Sequence, residues 1–334
     1  MQFRTFSTHS SPNILDAWTK AALSTNQVDP FCSTSAWQLA FHDAFSPNRR
    51  LLFKESNGSV IAFAEKVFSP ERIFITPIEP SWFFGCPLMG KESIDLFIEA
   101  LAAFTKFYAP TYPTIMVSGI RPGGILSKRL LNAAGKSFDI YLNSSGIQCT
   151  ASLAGGIDGY LSRRSANHRS KLRKAFKRAK NCGLSFERSV PRSAEEADAT
   201  YTRMLTLELT SWKGIGKCGM AEPIVKDFYA FMMQRLAFWG DGRVLFARHE
   251  GKDVGFIFGG LAGKIYRGQQ FSYADDWKSF SIGNLMQFEQ ITWLCEEGVK
   301  RYDMGPLNGP RMDYKTHWTE KEIPHQTWLF KKSA

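Results

Sequence analysis

Ser281, Ile282, Gly283 and Asn284 stand directly ahead of an apolar run, LMQFEQITWLCEEG, whose spacing predicts a helix. A helix N-terminus carries unpaired N–H groups and the positive end of its dipole. This short segment could therefore cradle a phosphate or pyrophosphate, with Gly283 allowing close approach. A second cationic feature lies upstream, where Arg163 to Lys180 contains nine Lys or Arg and no acid. Leu172, Ala175, Phe176 and Ala179 recur there at helical spacing, while Arg169 and Arg173 fall on another face. Tyr160 to Gly183 is thus predicted to be one helix, ended by Gly183, that docks by one side and presents a basic ridge on the other. Such a ridge is either a plain solvated face or a surface for a polyanion. A third candidate is the loop holding Trp212 and Lys213, spaced by Gly214, Gly216 and Gly219, in which an aromatic and a cation could close over a substrate. Asp303, at the end of the strand KRYDMGP, could orient an amine or cap its turn.

Composition limits what these residues can serve. The net charge of +11 over 334 residues comes largely from the one basic segment. The six cysteines and six histidines are scattered, with neither a C-x-x-C pair nor the spacing of a zinc or iron site, so a bound metal is not expected. No run approaches the ~18 apolar residues of a membrane span. The opening MQFRTFSTHSSPN lacks the apolar core of a signal peptide, and a cytoplasmic protein is expected.

These groups need a scaffold, and the chain is long enough for two domains. LLFKESNGSVIAFA (Leu51 to Ala64) and VLFARHEGKDVGFIF (Val244 to Phe258) share one hairpin pattern, two apolar strands about a polar turn with Gly. A third strand, a helix, a further strand, another helix and a closing strand follow each. In the second half the third strand is Lys264 to Tyr273 and the helix about Asn284 to Glu296; the closing strands are FDIYL and HQTWLFKK. Each half thus runs β-β-β-α-β-α-β, a duplication with a boundary near Thr150.

The pieces DPFCSTSAWQLAF, SRRSANHRSKLRKAFKRA, SWKGIGKCGM, VLFARHEGKDVGFIFGG, YRGQQFSYADDWKSFSIGNLM, YDMG and DYKTHW succeed one another along nearly the whole chain. In that order the sequence resembles the GNAT superfamily, specifically the tandem FemABX-like and CelD-like proteins. The resemblance implies a mixed α/β fold of two GNAT-like domains in tandem, related by pseudo-symmetry. Residues 1–150 would form a catalytically silent N-terminal domain and residues 151–334 the domain with donor site and chemistry. It further implies an N-acyltransferase that moves an acyl group from a carrier to an amine acceptor, small molecule or peptide. Acyl-CoA or acyl carrier protein would be the co-substrate, with no cofactor tightly bound. One alternative is a Fem-type aminoacyl or peptidyl transferase fed by aminoacyl-tRNA; a second is a non-enzymatic polyanion-binding protein with a decayed GNAT site.

Site roles follow from the same resemblance. Lys278, Ser281 and Gly283 occupy the places where GNAT domains carry Gln or Arg, Gly, and Gly or Ala, so Lys278 joins Ser281 to Asn284 in the donor loop. The lost first Gly leaves acyl carrier protein or aminoacyl-tRNA open as donor. Arg169 and Arg173 would assist in holding it. A splayed third strand near Gln269 to Tyr273 would offer N–H groups to the oxyanion that forms when an amine attacks a thioester or ester. Lys315, which follows a tyrosine near the C-terminus as in Fem-type enzymes, would stabilise that charge, and Tyr314 or Tyr273 would act as general acid. Trp212, Lys213, Arg267 and Gln270 would bind substrate, and the cleft would open between the halves.

Overall fold

The computed structural model describes residues 4–5, 12–307 and 309–333. The N-terminal positions read for a leader, 1–3 and 6–11, lie outside them. In chain order the first elements are β1 (Arg4–Thr5), α1 (Pro12–Ser24), α2 (Ser35–Phe45), β2 (Leu51–Ser56), β3 (Ser59–Ser69), β4 (Arg72–Pro77), β5 (Leu88–Met89), α3 (Ser93–Phe107), β6 (Thr114–Ile120), α4 (Ile125–Ala134) and β7 (Phe138–Ser152). Then come α5 (Gly156–Ser162), α6 (Ala166–Asn181), β8 (Ser185–Ser189), α7 (Ala194–Leu209), α8 (Trp212–Ile215), α9 (Pro223–Trp239), β9 (Gly242–His249), β10 (Lys252–Ala262) and β11 (Ile265–Tyr273). A 3-10 turn (Asp275–Phe280), α10 (Ile282–Glu296), β12 (Arg301–Pro306), a second 3-10 turn (Pro310–His317) and β13 (Lys321–Lys332) complete it.

The chain divides into two compact units, one running to Ile147 and taking up the chain again from Ile323, the other spanning Gln148–Glu322. In the first, β2, β3, β4 and β6 are neighbours in that order, antiparallel except for the parallel pair β4–β6. In the second, β9, β10, β11 and β12 repeat the order and the sense, with β11–β12 the parallel pair. The two hairpins even share a turn geometry. Asn57 and Gly58 have φ of 50° and 67°, and Glu250 and Gly251 have 49° and 78°. Positive φ at both central residues is the two-residue turn whose twist matches that of the flanking strands. The pseudo-symmetric, mixed α/β tandem expected from the sequence is what forms.

Both units bury apolar side chains on the two faces of their sheets. In the first, Phe97 and Phe104 of α3 meet Phe63, Ile115 and Phe330, while Trp18 and Leu39 from α1 and α2 cover the opposite face with Phe53 and Val60. In the second, Ile291 and Leu294 of α10 pack with Tyr160, Tyr266, Tyr302 and Trp318, and Met286 and Trp293 pack with Leu245 and Ile257.

Two expectations need correction. The closing strand HQTWLFKK was placed in the second half, but β13 pairs antiparallel with β6 of the first unit, Gln326 opposite Ile120 and Phe330 opposite Ile115. Its place in the second unit is taken by the end of β7, where Cys149 lies opposite Gly305 and Ala151 opposite Tyr302. The sequence Tyr160 to Gly183 is also not one helix. It breaks between α5 and α6, where Arg163 folds back along the surface onto the chain and Arg164 turns inward. Arg163 Nη2 donates to the carbonyls of Ser152 and Ala154 at 2.7 and 3.1 Å, and Arg164 is buried in an ion pair with Glu320. The C-terminal end of α6 is as expected: Gly183 has φ 69° and the Leu184 N–H donates to Ala179 O at 3.2 Å, closing the helix.

Candidate active site

The site starts from a parting of strands. β11 and β12 pair only at Ile265–Arg301, Tyr266–Tyr302 and Arg267–Asp303. Beyond that point β11 stays with β10 as far as Tyr273, and β12 stays with β7 as far as Pro306. A wedge opens between two parallel strands, and one edge of β11 from Gly268 onward has no neighbouring strand. A cavity of about 690 Å³ adjoins it, lined wholly by residues of the second unit.

Successive side chains of β11 point to opposite faces. Phe271 and Tyr273 face α10, and a Cβ on Gly283 would lie 3.1 and 3.2 Å from their rings. That close approach brings the first turn of α10 onto the strand and explains why glycine stands there. Ser281 ahead of it has φ 57°, the left-handed conformation that glycine adopts without strain, so the loop keeps its shape with a serine in place. Lys278, Ser281, Gly283 and Asn284 all line the cavity here. Ile282 does not; its side chain is in the core beneath.

The other face of β11 carries Gln270 and Ser272. Gln270 Nε2 donates to Tyr229 of α9 at 2.7 Å, and its Oε1 accepts from Lys213 Nζ at 2.9 Å; the same ammonium donates to Phe271 O at 2.7 Å. The loop of Trp212 and Lys213, expected as a lid over the acceptor, has glycines that pack closely. A Cβ on Gly214 would lie 2.2 Å from Glu208 O, and one on Gly219 2.1 Å from Glu208 Oε1. Glu208, fully buried near the end of α7, accepts from Met220 N at 3.0 Å, and Ser211 Oγ donates to its carbonyl at 2.7 Å while capping α8 through Lys213 N. The loop is wound around a carboxylate. Burial holds the Lys213 pKa below the ordinary lysine value, with Glu208 opposing.

Lys315 sits at the mouth of the wedge. Only 7% exposed, it donates from Nζ to Pro306 O, the last residue of β12, at 2.6 Å. Burial, then the charges of Arg267 and Lys213, bring its pKa down to about 8, with Cys149 opposing. Tyr314 beside it is pushed up to about 12 by burial, and burial followed by Asp275 raises Tyr273. Both phenols hold their protons at neutral pH, as a general acid must.

Ten of the residues singled out from the sequence thus line one cavity: Lys315, Tyr314, Tyr273, Lys278, Ser281, Gly283, Asn284, Trp212, Lys213 and Gln270. Others do not. Asp303 is buried in an ion pair with Arg301, Nε to Oδ1 at 2.7 Å. Arg267 is buried behind the cavity against Gly305, where it acts on Lys315 by charge alone. Arg169 donates to the carbonyls of Leu161 and Arg164 at 3.2 and 2.8 Å, holding the end of α5, and Arg173 points to solvent. Sequence reasoning missed Gln269, Ser272 and Gln287, which line the cavity; among the described residues Gln269 Nε2 and Ser272 Oγ have no partner, while the Gln287 side chain is paired with Tyr302. The signal for Gln287 was present: it lies four residues after Gly283 on α10, a spacing at which a helix returns to the same face.

Residues 166–316 match the family model described as an acetyltransferase (GNAT) domain. No curated protein matches the chain. Among solved structures, FemX is 14% identical with a TM-score of 0.65, covering 97% of each chain. A conserved protein of unknown function from Bacteroides thetaiotaomicron VPI-5482 is 9% identical with a TM-score of 0.63, covering 98% of this chain and 99% of that one. L-PGS from Bacillus licheniformis is 15% identical with a TM-score of 0.60, covering 97% and 93%. These likenesses are of fold.

Proposed function

We propose that this chain, whose residues 166–316 match an acetyltransferase (GNAT) domain and whose fold is like that of FemX, is an acyltransferase that joins an acyl group from a carrier to an amine at the β11–β12 wedge. The observation that carries this reading is the coincidence of three features in one cavity: the parted strands, the α10 N-terminus, and buried Lys315 with the more exposed Tyr314 beside it. The carrier's phosphate would rest on Ser281 to Asn284 and Lys278, placing the acyl carbonyl along β11. The neutral amine adds to the carbonyl carbon and a C–N bond forms. Negative charge gathers on the oxygen, where the Lys315 ammonium and β11 N–H groups oppose it. As the C–S or C–O bond to the carrier breaks, the leaving atom takes the electron pair and the Tyr314 proton, and the amine's surplus proton, relayed by solvent, restores the Tyr314 phenol. The first unit takes no part in these steps. No helix among the described residues is long and apolar enough to cross a membrane.

The pH profile separates two roles for Lys315. An ammonium that stabilises the oxyanion is present below a pKa of about 8 and lost above it, so turnover falls as pH rises through that value. A lysine acting as general base gives the opposite slope. Rates measured from pH 6 to 9.5 with a fixed donor decide between them.

The donor is tested by titrating the protein in parallel with acyl-CoA, acyl carrier protein and charged tRNA. Lys171, Arg173, Lys174 and Lys177 stay exposed on α6, and α6 packs through Ala175 and Ala179 on Leu285 of α10, beside the donor loop. This ridge favours a polyanionic carrier as a second reading. Reversing Arg173, Lys174 and Lys177 to Glu should weaken such a carrier and flatten the salt dependence of its binding. Arg169 is better left intact, since its reversal would disturb α5. Unchanged affinity and salt slope would make the ridge a solvated face and leave acyl-CoA as donor.

A further inference from the structure

Three ammonium groups, Lys213, Lys278 and Lys315, line the cavity, and no carboxylate does so among the described residues. The buried acids around it are engaged elsewhere, Glu208 with Met220 N and Asp303 with Arg301. Lys278 lies with the α10 N-terminus, on the face of β11 given to the donor. Lys213 reaches the open edge of β11, where its ammonium meets the Gln270 side chain and the Phe271 carbonyl. Its ammonium has three N–H donors and spends two, on Gln270 Oε1 and Phe271 O, so one remains for a ligand. On the face of Gln270, Ser272, 2% exposed, lines the cavity and has a hydroxyl with no partner among the described residues. Holding a cation here is costly, as the lowered Lys213 pKa records, and an anion beside it would relieve that cost. A simple alkylammonium would meet only like charge. Resting on the transferase reading above, we propose that the amine acceptor carries an anionic group of its own, a carboxylate or a phosphate, held by Lys213 Nζ and Ser272 Oγ with its amine toward the wedge.

Matched probes test this by isothermal titration of the whole chain without any donor: glycylglycine against glycylglycinamide, and O-phosphoethanolamine against ethanolamine. The anionic member of at least one pair should bind about ten- to a hundredfold more tightly, the range of one charge-assisted hydrogen bond. The two pairs distinguish carboxylate from phosphate. Lys213→Met and Lys213→Gln should each abolish the preference without weakening the member that lacks the anionic group. Equal or weaker binding of both anionic members overturns the proposal, as does a preference that survives both variants. Because no donor is present, the outcome is separate from the transferase reading. A charge preference without transfer from any carrier removes that reading and keeps the anion site; transfer to amines regardless of their charge removes the anion site alone.

Discussion

Replacing Lys315 by Met is expected to lower turnover roughly a hundredfold or more, the loss of one oxyanion donor worth about 2.7 to 4 kcal/mol, and at the same time to stabilise the fold. The two effects share a cause. In acyl transfer the negative charge grows only as the amine adds, so a cation aimed at the oxygen acts on the transition state more than on the bound donor. Donor affinity should hardly change. The stability effect comes from the folded-state pKa of about 8 against an ordinary 10.5. Between those values the unfolded chain binds more protons than the folded one, so stability rises with pH across that window and the penalty is fully present at pH 7. A shift of that size is on the order of 3 kcal/mol, and the variant gives back about 1 to 3 kcal/mol of it by leaving Pro306 O without its donor. Met keeps the aliphatic stem and removes the charge, leaving a gain of about 1 kcal/mol that urea unfolding can read. The variant should also lose the rise in stability between pH 8 and 10.5. Turnover within a few fold of the parent would make Lys315 a structural lysine, and Tyr314 or Tyr273 would become the groups to test.

Much of this site was legible because it rests on short-range pattern. The turns at Asn57–Gly58 and Glu250–Gly251 announce their hairpins, and an apolar run after Ser281–Gly283 announces α10 and where it begins. The resemblance then placed Tyr314 and Lys315 near that loop, which the structure does as well. What stayed hidden depends on distant partners. Arg163 and Arg164 look like ridge residues, yet their partners are carbonyls and a carboxylate from Ser152, Ala154 and Glu320, and no helical period reveals that. The same holds for β13, whose sequence suits a strand equally well in either unit; its edge is decided by pairing with β6. Glu208 was hidden by MLTLELTSW, in which one acid on an amphipathic helix reads as a solvated residue. Only the fold shows that the Gly-rich loop after it is wound around that carboxylate.

Substituting Glu208 by Ala should therefore be the most destabilising change near the site, by about 2 to 4 kcal/mol, while sparing the donor loop. The carboxylate is fully buried, accepts from Met220 N and fills the space against Gly219, so its removal leaves an unpartnered N–H and a void together. Its anchorage begins upstream, where Ser193 caps α7 by accepting from Glu196 N at 3.2 Å and sets the helix that delivers Glu208. The damage should stay local. Residues 211–220 would become the preferred site of proteolytic nicking, because their fold depends on this side chain more than on the sheet. Lys213 would lose its fixed place against Gln270 and Phe271, so acceptor KM should rise while donor KM stays near that of the parent. Glu208→Gln keeps an acceptor for Met220 N and the shape of the side chain, and should recover most of the stability. It also removes the negative charge that opposes the fall in the Lys213 pKa, pushing that pKa lower still, so that acceptor binding weakens at a lower pH than in the parent. A purely structural Glu208 would give an unchanged acceptor pH profile in the Gln variant, and that result would detach it from Lys213.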